Sequence, residues 1–247
     1  MFRLLKALPL ALAIVAIVAL GVFAASCGNS GNAEVRVVNA IPDAPAALDI
    51  DVNGDKDFPN IQFGNVYPTP SPSGPATYTS VVSGSVTIEG YDTGTTTVAV
   101  APTTANLSAS TEYTMLLGGF FNSSPSAFVI TDNNTVPVTG NVNLRIINGS
   151  AISGSNGIDV CIAQNGLPFP SPCQVSGLSL GASSSYLPMT FESSYSFEVF
   201  FHGNGNPQFT YTPPTGLVTG EIMTLVIVDE QNGQEMSDFP IVLVDVD

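Results

Sequence analysis

The 247-residue chain is poor in positive charge and in the residues that most often do chemistry. It contains no tryptophan, one histidine, three cysteines, and five lysines and arginines against 20 carboxylates. A single histidine, His202, leaves no metal site built from several imidazoles, and a Ser-His-Asp triad would have to use it. No G-x-S-x-G elbow, phosphate-cradling loop with a following lysine, or H-E-x-x-H sequence is present. We therefore predict a protein without enzymatic activity and without a cofactor.

The shortage of basic residues also limits the partners. Only Arg36, Lys56 and Arg145 follow residue 26, so three basic residues face 20 acidic ones and the net charge of that part is near −17. A surface of this sign repels phosphate backbones, and we expect no nucleic-acid partner. Hydrophobic residues make up 44% and charged residues 10% of the chain, which is typical of a folded protein.

Residues 1–26 are expected to be a secretory signal, because a short basic start precedes an apolar run from Ala7 to Phe23. The small residues Ala24-Ala25-Ser26 then lead into Cys27, which resembles the lipobox of bacterial lipoproteins. That resemblance implies a lipid carrying palmitate-type chains on Cys27, contact with a membrane through this lipid, and a place in the bacterial cell envelope, at the outer membrane or cell surface. An ordinary cleaved signal or a single membrane anchor is the alternative.

The remaining chain is one unit used twice. The segment EVRVVN, which begins at Glu34, returns as NLRIIN from Asn143. Equivalent residues stand 109 or 110 positions apart: Arg36 and Arg145, Asp49 and Asp159, Glu89 and Glu198. A repeat that keeps register for about a hundred residues is a whole domain. We predict a signal at 1–26, a lipidated tether at 27–33, a first domain at 34–132, a linker at 133–140 and a second domain at 141–247.

Each copy is predicted to be a β-sandwich. Val35 and Val37 alternate with Arg36, and this period of two indicates a strand with one buried face. Short apolar segments separated by turns such as Asn53-Gly54, with no helical period between them, indicate further strands. We predict an all-β protein with two tandem immunoglobulin-like β-sandwich domains after an N-terminal signal peptide.

The motifs of the first copy resemble a known bacterial family. VRVVNAIPDAP from Val35, LDIDVNG from Leu48 and the Phe63-Gly64 pair are similar to the domain-of-unknown-function family number 4397, whose members are secreted or lipid-anchored and often tandem. The resemblance is close over Glu34–Asp132 and weaker over Asn141–Asp247, where the Pro-Asp-Ala-Pro element is missing. It implies a small β-sandwich domain and no established activity.

Two pairs of residues are predicted to stabilise the fold. Cys161 and Cys173 are expected to form a disulfide, because an exported chain meets an oxidising compartment; free thiols or a metal pair are the alternatives. Arg36 and Arg145 are expected to hold structural ion pairs, with the acidic residues Glu89 and Glu198 as their first candidate partners. Anchoring of an acidic ligand is the alternative for the two arginines.

A possible calcium loop begins at Asp49. The residues Asp49, Asp51, Asn53 and Asp55 match the start of the D-x-D-x-N-G pattern. Such a loop requires a bidentate carboxylate at its twelfth position, where this chain has Asn60. We therefore predict a strand with outward carboxylates and no metal, with calcium as the weaker alternative.

The function predicted from the sequence is that of a non-catalytic binding or scaffold lipoprotein, with an envelope protein or glycan as partner. An envelope hydrolase that uses paired carboxylates, directed at a glycan, and a purely structural envelope assembly protein are the alternatives. A lipid at Cys27 would hold the first domain near the membrane and make the second domain distal. Binding is therefore predicted near Phe169, in the loop 167–172, and near His202, in the loop 202–207.

Overall fold

The computed structural model describes residues 31–70, 77–164, 166–191, 194–213 and 218–246. The predicted signal, Cys27 and the first part of the predicted tether lie outside these residues. The described chain consists of β-strands and two single 3-10 turns, Phe121–Ser123 and Ala151–Ser153, so the all-β fold class is confirmed. No helix in these ranges has the length and apolar character needed to cross a membrane.

The strands form four sheets, two in each domain. In the first domain they are β1 Asn32–Asn39, β2 Leu48–Val52, β3 Asp55–Ile61, β4 Val66–Tyr67, β5 Thr79–Val82, β6 Gly84–Asp92, β7 Val98–Leu107, β8 Glu112–Gly118 and β9 Ser126–Thr131. In the second they are β10 Asn141–Asn148, β11 Ile158–Gln164, β12 Val175–Leu178, β13 Leu187–Thr190, β14 Tyr195–Phe201, β15 Pro207–Tyr211, β16 Ile222–Ile227 and β17 Ile241–Val246.

Each domain pairs an inner sheet with an outer sheet around its own apolar core. The first inner sheet has the order β4-β1-β8-β9, with β5 also on β1, and the first outer sheet has the order β3-β2-β6-β7. The second inner sheet is β13-β10-β16-β17 and the second outer sheet is β12-β11-β14-β15. In both inner sheets the central pair, β1 with β8 and β10 with β16, is parallel.

The two inner sheets pack against each other, so their central strands are buried on both faces. On β1, Val35 and Val37 join the core of the first domain, whereas Val38 joins a third apolar cluster together with residues of the second domain. The prediction that this strand has one buried face is therefore wrong. The third cluster consists of Val38, Ala40, Leu116, Ile130, Ile147, Val226, Val228 and Leu243. Strands covered on both sides read as nearly continuous apolar runs, as IMTLVI does in β16.

The two domains lie side by side, with β1 and β10 running in the same direction. Arg36 and Arg145 contact the same two carboxylates, and four residues later a Cβ added to Gly149 would lie 3.0 Å from the Cβ of Ala40. We call the end at which both strands begin the base and the opposite end the top. The second domain is therefore not distal to the first, because both reach from base to top.

Candidate functional site

A buried charge cluster lies between the domains. It is formed by Arg36 on β1, Arg145 on β10, Asp132 directly after β9, and Asp245 on β17. The two arginines are only 2% and 1% exposed. Alternation along the strands places these side chains on the inner-sheet faces that meet, together with the third apolar cluster.

The shortest ion pairs of the cluster cross from one domain to the other. Arg36 Nη2 lies 2.5 Å from Asp245 Oδ1, a charge contact without hydrogen-bond geometry, and Arg145 Nη1 lies 2.8 Å from Asp132 Oδ1. Each arginine also faces the carboxylate of its own domain, at 3.4 Å for Arg36 with Asp132 and 3.8 Å for Arg145 with Asp245. Two guanidiniums and two carboxylates thus balance each other in a site closed to solvent.

Hydroxyl groups and aromatic rings complete the cluster. Arg36 Nε donates to Thr114 Oγ1 at 2.8 Å, and this hydroxyl donates to Asp132 Oδ2 at 2.8 Å. In the second domain, Arg145 Nε donates to Thr224 Oγ1 at 3.1 Å, and this hydroxyl donates to Asp245 Oδ2 at 2.8 Å. The guanidinium carbons lie 5.3 Å and 4.9 Å from the ring centres of Tyr78 and Tyr186. Burial opposes a charge here, but the two carboxylates raise the pKa of Arg36, which stays protonated.

The partners predicted for these arginines are wrong. Glu89 lies on β6 of the outer sheet and accepts a hydrogen bond from the Tyr91 hydroxyl at 2.7 Å. Glu198 lies on β14, also in an outer sheet, opposite Cys161. Arg36 projects from the other face of the inner sheet, away from the outer sheet, so neither glutamate can reach its arginine.

Asp132 and Asp245 are the functional residues that sequence reasoning missed. Each lies at the end of the last strand of its copy, and this shared position was the available signal. The two carboxylates are brought together, as a hydrolase with paired acids would require. Both are buried and both contact guanidiniums, so they do not face a substrate.

Asp49, the first residue of the possible calcium loop, is used by the protein itself. Its carboxylate accepts hydrogen bonds from Lys56 Nζ at 2.6 Å and from the backbone N–H of Asn60 at 2.8 Å. The Thr93 hydroxyl and the Gly94 N–H are further donors. Burial opposes ionisation, but these hydrogen bonds lower the pKa of Asp49 to about 2.

The remaining residues of this loop form the turn between β2 and β3. Asn53 has a φ of 55°, and its side-chain oxygen accepts the N–H of Thr87 at 2.9 Å. Asp51 is half-buried and Asp55 exposed. Within the described ranges no group of three His, Cys, Asp or Glu side chains is placed to hold a metal ion.

A disulfide joins Cys161 to Cys173 and closes the loop that contains Phe169. The amide of Gln174 also bonds both backbone groups of Ile162, at 2.8 Å and 2.7 Å, and so extends the edge of the outer sheet. Phe169 is half-buried rather than freely exposed. The disulfide thus orders this hairpin. Because Phe169 is half-buried, the hairpin offers less apolar surface than the sequence predicted.

His202 is held at the end of β14 by an acid. Its Nδ1 lies 2.7 Å from Asp159 Oδ1 and 3.4 Å from the Ser176 hydroxyl. A catalytic triad requires the serine and the acid on opposite ring nitrogens, whereas here both face Nδ1. Burial raises the pKa of Asp159, but hydrogen bonds from His202, Ser176 and the Gly177 N–H outweigh it and hold the pKa below its ordinary value.

Phe169 and His202 lie at opposite ends of the second domain. Strand β11 begins at Ile158, opposite Phe201, and ends at Gln164, opposite Tyr195. His202 therefore follows the top of the sheet, whereas the loop with Phe169 leaves its base. Six strand residues separate these ends by about 20 Å, so the two predicted loops do not form one binding surface.

An open groove lies between β15 and the segment that precedes β17. Its volume is about 620 Å³, and its aromatic, hydroxyl and acidic lining is Phe209, Thr210, Tyr211, Thr212, Asp238 and Phe239. Phe239 is 75% exposed. We call these six residues the aromatic groove.

Comparison with known protein families gives a match that covers the first copy, whose motifs had predicted the family. Residues 33–161, just over half of the chain, match the model of the domain of unknown function DUF4397. The chain belongs to the DUF4397 family. The match contains the whole first domain and extends to β11 of the second, so the predicted family is confirmed. No protein of curated function matches this DUF4397 chain.

Some solved structures are weakly similar to this DUF4397 protein. A streptococcal virulence factor described as binding alpha-glucan has a TM-score of 0.27 at 10% identity, over 80% of this chain and 94% of that one. A family 41 carbohydrate-binding module from streptococcal virulence factors has a TM-score of 0.25 at 13% identity, over 78% and 92%. A putative cell adhesion protein from Bacteroides fragilis has a TM-score of 0.19 at 11% identity, over 89% and 98%. Likeness at this level carries no argument about the ligand.

Proposed function

We propose that this protein is a non-catalytic binding module of the bacterial cell envelope, anchored by a lipid on Cys27. The observation that carries the proposal is the aromatic groove. An exposed ring, a second ring and a carboxylate lie together there, and they offer an apolar face beside a hydrogen-bond acceptor. This combination suits the ring faces and hydroxyl groups of a glycan.

The charged residues support a role other than catalysis. Both arginines of the described chain join the two domains, and His202 lacks the geometry of a triad. The anchor is supported by the lipobox at Ala24-Ala25-Ser26-Cys27. Lipids of this kind carry two or three acyl chains, which hold a protein stably on a bilayer.

Binding is tested with the processed protein and a panel of soluble polysaccharides. We expect Phe239→Ala to weaken binding of a panel member at least about tenfold, because it removes the exposed ring, whereas Val98→Ala on β7 leaves binding unchanged. Hydrolysis of a panel member that is lost in Asp238→Asn would instead establish an enzyme. Mass spectrometry of the N-terminal peptide tests the lipid, and a wild-type protein with an unmodified Cys27 would contradict the anchor.

A further inference from the structure

Exposed apolar side chains are concentrated at the base of the molecule. Nine large apolar side chains are exposed in the described part of the chain, and six of them lie at this end: Val82, Val136, Val138, Leu167, Phe191 and Val218. Four of the six, Val136, Val138, Phe191 and Val218, surround the start of β10, and we call these four the basal patch. Single exposed apolar residues are ordinary, but a group at one end requires an explanation.

Backbone contacts bring the basal patch together. The Phe191 N–H donates to the carbonyl of Gly140 at 2.8 Å, at the end of the linker between the domains. A Cβ added to Gly220, two residues after Val218, would lie 3.9 Å from Val136 Cγ1. Segments that are distant in sequence thus meet at the start of β10, each carrying an exposed apolar side chain.

The chain enters the described fold at this same end. The carbonyl of Gly31 accepts the N–H of Ser83 at 3.2 Å, beside the first residue of β1. Cys27 precedes Gly31 by four residues, which span at most about 14 Å when fully extended. A lipid on Cys27 would therefore keep the base within that distance of the bilayer surface.

Charge is distributed in the opposite sense. Three of the four carboxylates that are exposed in the described chain, Glu230, Glu235 and Asp238, belong to the top segment between β16 and β17. Beside the basal patch, Glu221 is only 6% exposed, and its carboxylate accepts the Val218 N–H at 2.6 Å. Contact of Val218 with a bilayer would therefore not strip water from this carboxylate, which is already buried and hydrogen-bonded.

We propose that the basal patch contacts the lipid bilayer, so that the lipidated protein stands on the membrane with its top directed away. This inference rests on the proposed anchor at Cys27. Apolar side chains at the headgroup boundary add to the affinity that the acyl chains supply, and they fix an orientation that a short tether alone leaves free. The aromatic groove stays accessible on the side of the molecule.

The absence of tryptophan gives a direct test. The full lipidated chain is placed in vesicles of phosphatidylethanolamine and phosphatidylglycerol, with and without a brominated phosphatidylcholine that quenches tryptophan on contact. Phe191→Trp at the base is compared with Phe239→Trp near the top, since both replace an exposed ring. We expect the emission of Phe191→Trp to fall about twofold with brominated lipid, and that of Phe239→Trp to stay unchanged.

The outcomes separate this inference from the anchor. If mass spectrometry finds the lipid on Cys27 and Phe191→Trp is not quenched, the contact with the bilayer is wrong while the anchor stands. Equal quenching at residues 191 and 239 would also overturn the orientation. If Cys27 carries no lipid, both proposals fail.

Discussion

At the scale of single residues, Arg36 and Arg145 show how charge is kept inside an apolar interface. A buried guanidinium is costly unless carboxylates and hydrogen-bond acceptors surround it. Each arginine here faces two carboxylates and one threonine hydroxyl, and each lies over a tyrosine ring. Because the four charges are shared, removal of any one leaves the others unbalanced.

We predict that Arg145→Leu lowers the free energy of unfolding by about 3–5 kcal/mol, because two buried carboxylates must then share one guanidinium. The matched control is Lys56→Met, which removes a cation whose side chain is 49% exposed and which should therefore cost much less stability than Arg145→Leu. Urea denaturation at neutral pH measures both. Similar losses in the two variants would show that the cluster has no special role.

Asp49 should make stability depend on acid. Its pKa in the fold is about 2, below the ordinary value of 3.8, so its contribution is present above that value and is lost as pH falls from about 4 to about 2. Over this window we predict that the wild type loses about 2 kcal/mol more than Asp49→Asn. Asp55→Asn, at an exposed position, serves as the control. Parallel pH profiles for wild type and Asp49→Asn would contradict this prediction.

Recurrence in the sequence marked both arginines as structural, but it did not identify their partners. The choice between Glu89 and Asp132 depends on which face of the inner sheet Arg36 occupies. The packing of the two whole domains decides that face. The alternation of residues along a single strand carries no information about this packing. The disulfide was easier to predict, because only Cys161 and Cys173 were available in the two copies.

At the scale of elements, the domains are joined by side chains that cross between them. Phe128 projects from β9 of the first domain against Gly181, in the turn between β12 and β13. The φ of Gly181 is 78°, in the left-handed region, and a Cβ there would clash with the ring of Phe128. This glycine is therefore required both by its own turn and by the neighbouring domain.

We predict that Gly181→Ala costs about 2 kcal/mol more than Gly203→Ala. Both glycines have a φ near 80°, so both variants carry the same backbone strain of about 1–2 kcal/mol. Only position 181 adds a collision across the interface, since nothing lies within 4 Å of a Cβ at Gly203. Thermal unfolding of the two variants gives the comparison, and equal melting temperatures would argue against close packing at this contact.

Strands with a strong pattern of their own could be predicted, and edge strands could not. The alternation of Val35 and Val37 with Arg36 predicted a strand, and these residues lie in β1. The short strands β4, β12 and β13 were not predicted, because hydrogen bonds to a neighbouring strand define them and they have little alternation. In the same way, the sequence does not reveal that the inner sheets of the two copies pack together.

At the scale of the whole molecule, four stacked sheets form one body. The repeated unit buries two arginines, two carboxylates and a third apolar cluster against its own copy. Under the proposed anchor at Cys27, the duplication would set the orientation of the protein on the membrane rather than its distance from it.

The most direct test of this account is calorimetry of the processed protein with and without its disulfide. The wild type should unfold in a single transition, because the shortest ion pairs and the third apolar cluster join the two domains. Cys161→Ser with Cys173→Ser should remove about 3 kcal/mol by freeing the loop within the second domain, and the single transition should move as a whole. Two transitions, of which only one moves, would show that the domains fold independently and would contradict the account.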